Sequence, residues 1–289
     1  MPRPRNIAAL VLLLIVAMVS VQTGAAFAKR LFVVVGPAGV TALRLSLAAV
    51  VLLIFWRPSF RLRARDWRMV VAYGLSLGAM NLMFYLAIAR IPLGVAVALE
   101  FAGPLAVALA ASRRAVDFLW IGLAVLGLAL LLPIGADRID LVGAALALGA
   151  GVCWALYILF GRRAGAALGG QAVALGMAVG AVAAAPIGVA LSGPGLAAPA
   201  VLAAGLIVAM LSSVVPYSLE MVALPRLPAG VFGVLMSLEP AVAVMSGFVI
   251  LAERPTPMQM AAIACIVAAS VGAASRARVA TEQAPHPGG

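Results

Sequence analysis

Runs of about 20 apolar residues follow one another along nearly the whole chain, separated by short breaks of basic residues, proline and glycine. No other feature constrains the fold so strongly. A helix of that length crosses the hydrocarbon core of a bilayer and satisfies its own backbone hydrogen bonds, whereas a barrel strand would alternate polar and apolar residues. Ten such segments can be marked, over 7–28, 33–56, 69–89, 92–112, 118–134, 141–160, 170–192, 200–222, 228–251 and 257–275. Composition agrees. Of 289 residues, 65% are hydrophobic and 10% charged, against roughly 25% charged in a soluble domain. The sequence therefore predicts an all-α membrane protein with ten transmembrane helices.

The net charge of +11 would point to nucleic acid in a soluble protein. Here the basic residues lie singly or in small groups between apolar runs, where they read as membrane-surface anchors, and no nucleic-acid partner is expected. Counted on alternate sides of the ten spans, fourteen lysines and arginines fall on the side of both termini and five on the other. The positive-inside rule then places both termini in the cytoplasm. Arg44 belongs to neither side, because it stands midway along the second span. The loop "RPSFRLRARDWR" is read as a topology anchor in preference to a lipid-binding patch. The opening thirty residues have a rival reading as a secretory signal cleaved after "AFA", but the apolar run is longer than a signal core.

An internal repeat organises the chain. "RIPLGVAVALEFAGP" (Arg90 to Pro104) overlays "RLPAGVFGVLMSLEP" (Arg226 to Pro240) at an offset of 136. The expected arrangement is a first five-helix repeat over 1–135, a second over 136–276 and a disordered cytoplasmic tail over 277–289. Five is odd, so the second repeat enters the membrane from the opposite side, as in transporters whose binding site lies near the midplane between inverted repeats.

Two carboxylates stand inside the repeated segments. Glu100 and Glu239 are both near mid-span, though not strict repeat mates, since at the common offset Glu100 faces Met236 and Glu239 faces Gly103. Each is followed by a proline, Pro104 and Pro240, so a helix interruption is expected at matching places in both halves. An ionised group at the bilayer centre costs about 2.5–3.5 kcal/mol on insertion scales. One reading is a fixed Glu–Arg pair with Arg44 that only locks helices together. The functional reading gives Arg44 a substrate carboxylate and a glutamate either a substrate ammonium or a coupling proton. Glu220 lies near the end of its span and carries less weight. Candidate cavity-lining residues are Ser20, Gln22 and Thr23, Asn81 and Tyr85, Trp154 and Tyr157, and Tyr217 and Ser218, each of which could equally make a helix-to-helix hydrogen bond. The Gly176/Gly180 pair reads as close internal packing.

Enzyme chemistry finds no footing. The single histidine, His286, sits in the tail, the cysteines Cys153 and Cys265 lie in separate apolar runs, and no phosphate loop, metal cluster or activated nucleophile can be assembled. No cofactor and no metal are expected.

The segments "GVTALRLSL", "PLGVAVALEFAGPLAVAL", "SRRAVDF", "LALGAGVCWALYILFGRRAGA", "PYSLEMVALPRLP" and "MSLEPAVAVMSGFVILAERPTPMQ" carry a likeness that runs along nearly the whole chain. It resembles the EamA-type families of the drug/metabolite transporter superfamily and, within them, the bacterial inner-membrane exporters of threonine and homoserine. The resemblance implies efflux of small amino acids driven by the proton gradient, through a central cavity opening alternately to each side, in a monomer or weak dimer. The residues alone reach a proton-coupled carrier with a polar midplane site; an exporter of another amino acid, metabolite or drug, and less readily an ion channel, remain open at this point.

Overall fold

In a computed structural model, residues 4–110, 117–131, 140–223 and 236–282 are described. Their regular elements are helices, with no strand among the described residues. Helix α1 (Pro4–Trp56) takes in both of the first two expected spans and breaks at Gly36, whose φ of 68° and ψ of 166° leave the helical region. A side chain would be strained at that φ, and Pro37 follows with no N–H to continue the ladder. Lys29 and Arg30, expected in a loop, therefore lie on the helical turns leading to the break.

Helix α2 (Ala64–Ile88) follows. The expected fourth span is two helices, α3 (Leu93–Glu100) and α4 (Ala102–Ala110), parted at Phe101. Pro104, lacking an N–H, leaves the Glu100 carbonyl without its intrahelical donor, which accounts for the interruption there. Then come α5 (Asp117–Leu131), α6 (Leu141–Leu168) and α7 (Gln171–Ser192). Asp140 caps α6 by accepting from the N–H groups of Val142 and Gly143 at 2.8 and 3.2 Å.

The expected eighth span is α8 (Pro199–Ala209), a π turn (Met210–Val214) and α9 (Val215–Ala223) in succession. Helix α10 (Glu239–Leu251) holds the described end of the expected ninth span. It is preceded by a turn at Ser237 and Leu238, which at the offset of 136 corresponds to the Phe101 break. Residues 224–235, with Arg226, Pro228 and Gly230 of the repeat, lie outside the described residues. Helix α11 (Pro257–Glu282) continues into the stretch expected as a tail, of which 283–289 lie outside the described residues.

Five helical stretches among the described residues are long and apolar enough to span a membrane: Ala9–Trp56, Ala64–Ile88, Leu141–Leu168, Gln171–Ser192 and Pro199–Glu220. Helix α1 packs along α7, α8, α9 and α10, α2 against α6 and α7, and α5 against α11. The Gly176/Gly180 face of α7 meets Gly74 and Gly78 of α2 backbone to backbone, the internal packing expected of that pair. The bundle is apolar outside and charged inside. Val182, Leu191 and Val249 are 71–75% exposed, while Arg44, Glu100 and Glu239 are 4–7% exposed. That inversion suits a lipid surround and makes the interior the place to look for chemistry.

Candidate functional site

Arg44 projects from the second half of α1 into the interior, and its partners come from the π turn. Its Nε donates to Ser213 Oγ at 3.0 Å and its Nη2 to the Ser212 carbonyl at 2.7 Å. The Tyr85 ring of α2 lies 5.2 Å from the guanidinium carbon. No carboxylate forms an ion pair with Arg44 among the described residues, so the fixed Glu–Arg pair is not the arrangement found. Hydrogen bonds to a charged group are each worth about 1.5–3 kcal/mol, so two of them are enough to offset the roughly 2.5–3.5 kcal/mol insertion cost of the charge. The guanidinium is thus held by neutral acceptors, with its Nη1 donors unused among the described residues.

The two glutamates approach from opposite sides of corresponding interruptions. Glu100 is the last residue of α3 and Glu239 the first of α10. The Glu100 carboxylate has no hydrogen-bond partner among the described residues and lies within electrostatic reach of both Glu239 and Arg44. Its backbone is fixed by close approach to α6. A Cβ on Gly151 would stand 2.5 Å from the Glu100 carbonyl oxygen, and one on Gly103 would stand 1.8 Å from that of Gly151. Glu239 Oε1 accepts from Gln22 Nε2 of α1 at 3.2 Å, while Glu239 Oε2 and Gln22 Oε1 are buried with no partner among the described residues.

The remaining expected residues divide. Tyr85 is fully buried, with its hydroxyl unpartnered and its ring against Phe32 at 5.5 Å and Phe84 at 6.1 Å. Asn81, one turn earlier on α2, turns its amide back to the Leu77 carbonyl at 2.8 Å. Trp154 of α6 stands edge-on to Phe101, the break residue beside Glu100, at 5.7 Å and 81°. Tyr157 instead stacks on Tyr73 at 4.9 Å, in a separate hydrophobic cluster that also receives Tyr217. Tyr217 on α9 lies within electrostatic reach of Arg44, Glu100 and Glu239. Arg44, Tyr85, Glu100 and Glu239 therefore form the centre, Trp154 and Tyr217 its edge, and Asn81 and Tyr157 are engaged elsewhere. Half-buried Glu220 of α9 is felt electrostatically by Glu239.

Ser212 and Ser213 escaped the sequence reading. Their signal was Pro216, four residues after Ser212. A proline there removes the N–H that would close on the Ser212 carbonyl, so that carbonyl must find a donor from another helix. Ser20 of α1, by contrast, was among the expected polar residues, and it donates to the Leu211 carbonyl of the same turn at 2.7 Å. Ser212 Oγ, Tyr85 Oη, Gln22 Oε1 and Glu239 Oε2 are all buried without partners. Buried polar atoms are rarely left so, and four of them, on Arg44's neighbours Ser212 and Tyr85 and on the Gln22–Glu239 pair, are what a site for a small polar solute would provide.

Away from the centre, polar residues tie one end of the bundle. Lys29 Nζ reaches Glu253 Oε1 at 2.6 Å and the Ile91 carbonyl at 3.2 Å, and Glu253 Oε2 accepts the Leu93 N–H at 2.8 Å. Arg30 donates to the Ile250 carbonyl. Arg90 pairs with Asp140 at 3.0 Å; that hydrogen bond first, and the Gly143 N–H next, hold the Asp140 carboxyl below the ordinary aspartate value. At the other end, Arg63, Arg65, Asp66 and Met69 of the α2 entry face Arg163, Ala166 and Ala167 of α6 around an open depression of about 550 Å³.

The EamA-like transporter family model matches residues 141–274. The threonine/homoserine exporters RhtA of Salmonella typhimurium and of Escherichia coli are each 54% identical to this chain over 266 residues, covering 91% of it and 90% of their own length. A solved crystal structure of a protein of 18% identity superposes with a TM-score of 0.63 over 94% of this chain and 99% of its own, a likeness of fold alone.

Proposed function

This chain belongs to the EamA-like transporter family, and from that premise we propose that it exports small amino acids, threonine and homoserine among them, from the cytoplasm. It is a multi-pass membrane protein and a carrier, not an enzyme. The proposal adds proton antiport with alternating access in the inner membrane, both termini cytoplasmic, through ten spans arranged as inverted repeats over 1–135 and 136–276, in a monomer or weak dimer. In the assigned roles Arg44 receives the substrate carboxylate, Glu100 and Glu239 serve the ammonium group and the proton, and Tyr85, Trp154 and Tyr217 enclose the solute. Asn81 and Tyr157, engaged with the Leu77 carbonyl and with Tyr73, are assigned no contact with the solute in this state.

The observation that carries this reading is Arg44 itself, a buried guanidinium with neutral partners and, among the described residues, spare donors. A zwitterion supplies the missing carboxylate and, at the same time, an ammonium for the carboxylates that Arg44 does not pair. The burial of Arg44, Glu100 and Glu239 and the polar ties around Lys29 and Glu253 suit an intermediate closed on that side. Export from intact cells loaded with a panel of labelled amino acids, with and without an uncoupler, tests substrate and energy source together. Threonine and homoserine should leave against their gradient, and the uncoupler should abolish the uphill part. Export confined to other solutes, or indifferent to the uncoupler, would overturn the respective half.

A further inference from the structure

We propose that the π turn Met210–Val214 aims Arg44, with Ser213 as the positioning residue, so that a substrate carboxylate is received on the Nη1/Nη2 edge of the guanidinium. The inference rests on the reading of Arg44 as the carboxylate site and adds how that site is set.

It starts with Pro216. In a regular α-helix the N–H of residue 216 would bond the Ser212 carbonyl, and that of Val215 the Leu211 carbonyl. Proline has no N–H, and Val215 N–H reaches back to Met210 instead, the i to i+5 spacing of a π turn. Two carbonyls are freed in the membrane interior, where none can be left without a donor. The Leu211 carbonyl takes Ser20 Oγ at 2.7 Å, and the Ser212 carbonyl takes Arg44 Nη2 at 2.7 Å. Ser213 Oγ then accepts Arg44 Nε at 3.0 Å.

Both contacts use the same edge of the guanidinium. Carboxylates engage arginine in a two-bond fork either on the Nε/Nη2 side or on the Nη1/Nη2 end. Here the side is occupied and the end is left. Tyr85, 5.2 Å from the guanidinium carbon, bounds the group on one face. The turn therefore fixes which edge an amino acid meets, and a flexible ammonium at position 44 would not reproduce it.

The test compares half-saturation and maximal rate of labelled threonine transport in inside-out vesicles, alongside membrane abundance. Ser213→Ala should raise half-saturation about tenfold or more while maximal rate and abundance stay near the parent, and Ser213→Thr, which keeps the hydroxyl, should restore it. Pro216→Ala returns an N–H that competes for the Ser212 carbonyl; it should raise half-saturation similarly although it adds a helical hydrogen bond. If Ser213→Ala is missing from the membrane, Pro216→Ala decides alone. Parental half-saturation in Pro216→Ala and in any membrane-resident Ser213→Ala overturns the inference, and the Arg44 reading still stands if Arg44→Lys loses threonine transport. Parental transport in Arg44→Lys overturns both.

Discussion

Lys29 Nζ of α1 lies 2.6 Å from Glu253 Oε1, beyond the end of α10, and the same two side chains hold both sides of the α2–α3 turn through the Ile91 carbonyl and the Leu93 N–H. One ion pair thus joins three chain segments at the end of the bundle assigned to the far side of the membrane. The side chains are 24% and 17% exposed, enough for water to weaken the Coulomb part, so the hydrogen bonds to backbone carry much of the tie. In a background lacking Cys153 and Cys265, a cysteine at the buried Val95 should react slowly with an impermeant maleimide. Lys29→Met should speed the reaction several-fold, and the exchanged pair Lys29→Glu with Glu253→Lys should slow it again. Equal labelling in all three would show that the pair does not hold this end closed.

Arg44→Lys keeps the charge at the centre but loses the planar fork. Threonine half-saturation should rise at least tenfold, about 1.4 kcal/mol, with the protein still present in the membrane, and Arg44→Gln should remove export. Parental export by both variants would assign Arg44 a structural role.

Glu100→Gln keeps the shape of the side chain and fixes its neutral form. That variant should still exchange labelled threonine at equilibrium and should fail to move it uphill when a pH gradient is imposed across vesicles. Glu239→Gln, which leaves Gln22 beside an amide, is the comparison. Uphill transport kept by Glu100→Gln and lost by Glu239→Gln would move the coupling proton to Glu239; uphill transport in both would remove the carboxylates from coupling.

A Cβ at position 103 would stand 1.8 Å from the Gly151 carbonyl oxygen, so Gly103→Ala forces α4 and α6 apart beside Glu100. Overpacking of this kind costs about 1–3 kcal/mol. Thermal unfolding in detergent should shift down, whereas Gly195→Ala, where a Cβ meets open space, should leave it unchanged. An unshifted transition in Gly103→Ala would mean that the two helices part easily there.

Asp140 gives a pH dependence with a definite sign. The Arg90 hydrogen bond lowers its folded-state value below the ordinary 3.8, so the carboxylate stabilises the fold fully above that ordinary value and loses its contribution as pH falls through the lowered one. The stability difference between the parent and Asp140→Asn should be flat from neutral pH down to about pH 5 and shrink only in stronger acid. A difference that already closes between pH 7 and 5 would contradict the Arg90–Asp140 contact.

The medium, the all-helical class and the family were legible along the chain. Runs of bilayer length with almost no charge allow only helices in lipid, because no other single segment satisfies its own backbone there. Pro104 and Pro240 announced the interruptions beside Glu100 and Glu239, since a missing N–H frees a carbonyl wherever it falls. Pro216 announced one more and passed unread. Which groups answer those freed carbonyls and charges was settled by the packing of helix on helix. Arg44, read either as half of a fixed Glu–Arg pair or as the receiver of a substrate carboxylate, turned to Ser212 and Ser213, while Glu239 met Gln22 from the first span. Asn81 and Tyr157, polar residues in the middle of spans like the rest, were drawn to Leu77 and Tyr73. The physical reason is that helical periodicity fixes a side chain's direction relative to its own axis, but its partner depends on how neighbouring helices rotate and cross. Where helices are apolar nearly all round, the packing of Gly103 on Gly151 and of Gly74 and Gly78 on α7 sets that rotation; the Gly176/Gly180 spacing announced a close contact, but no local pattern names the helix it meets.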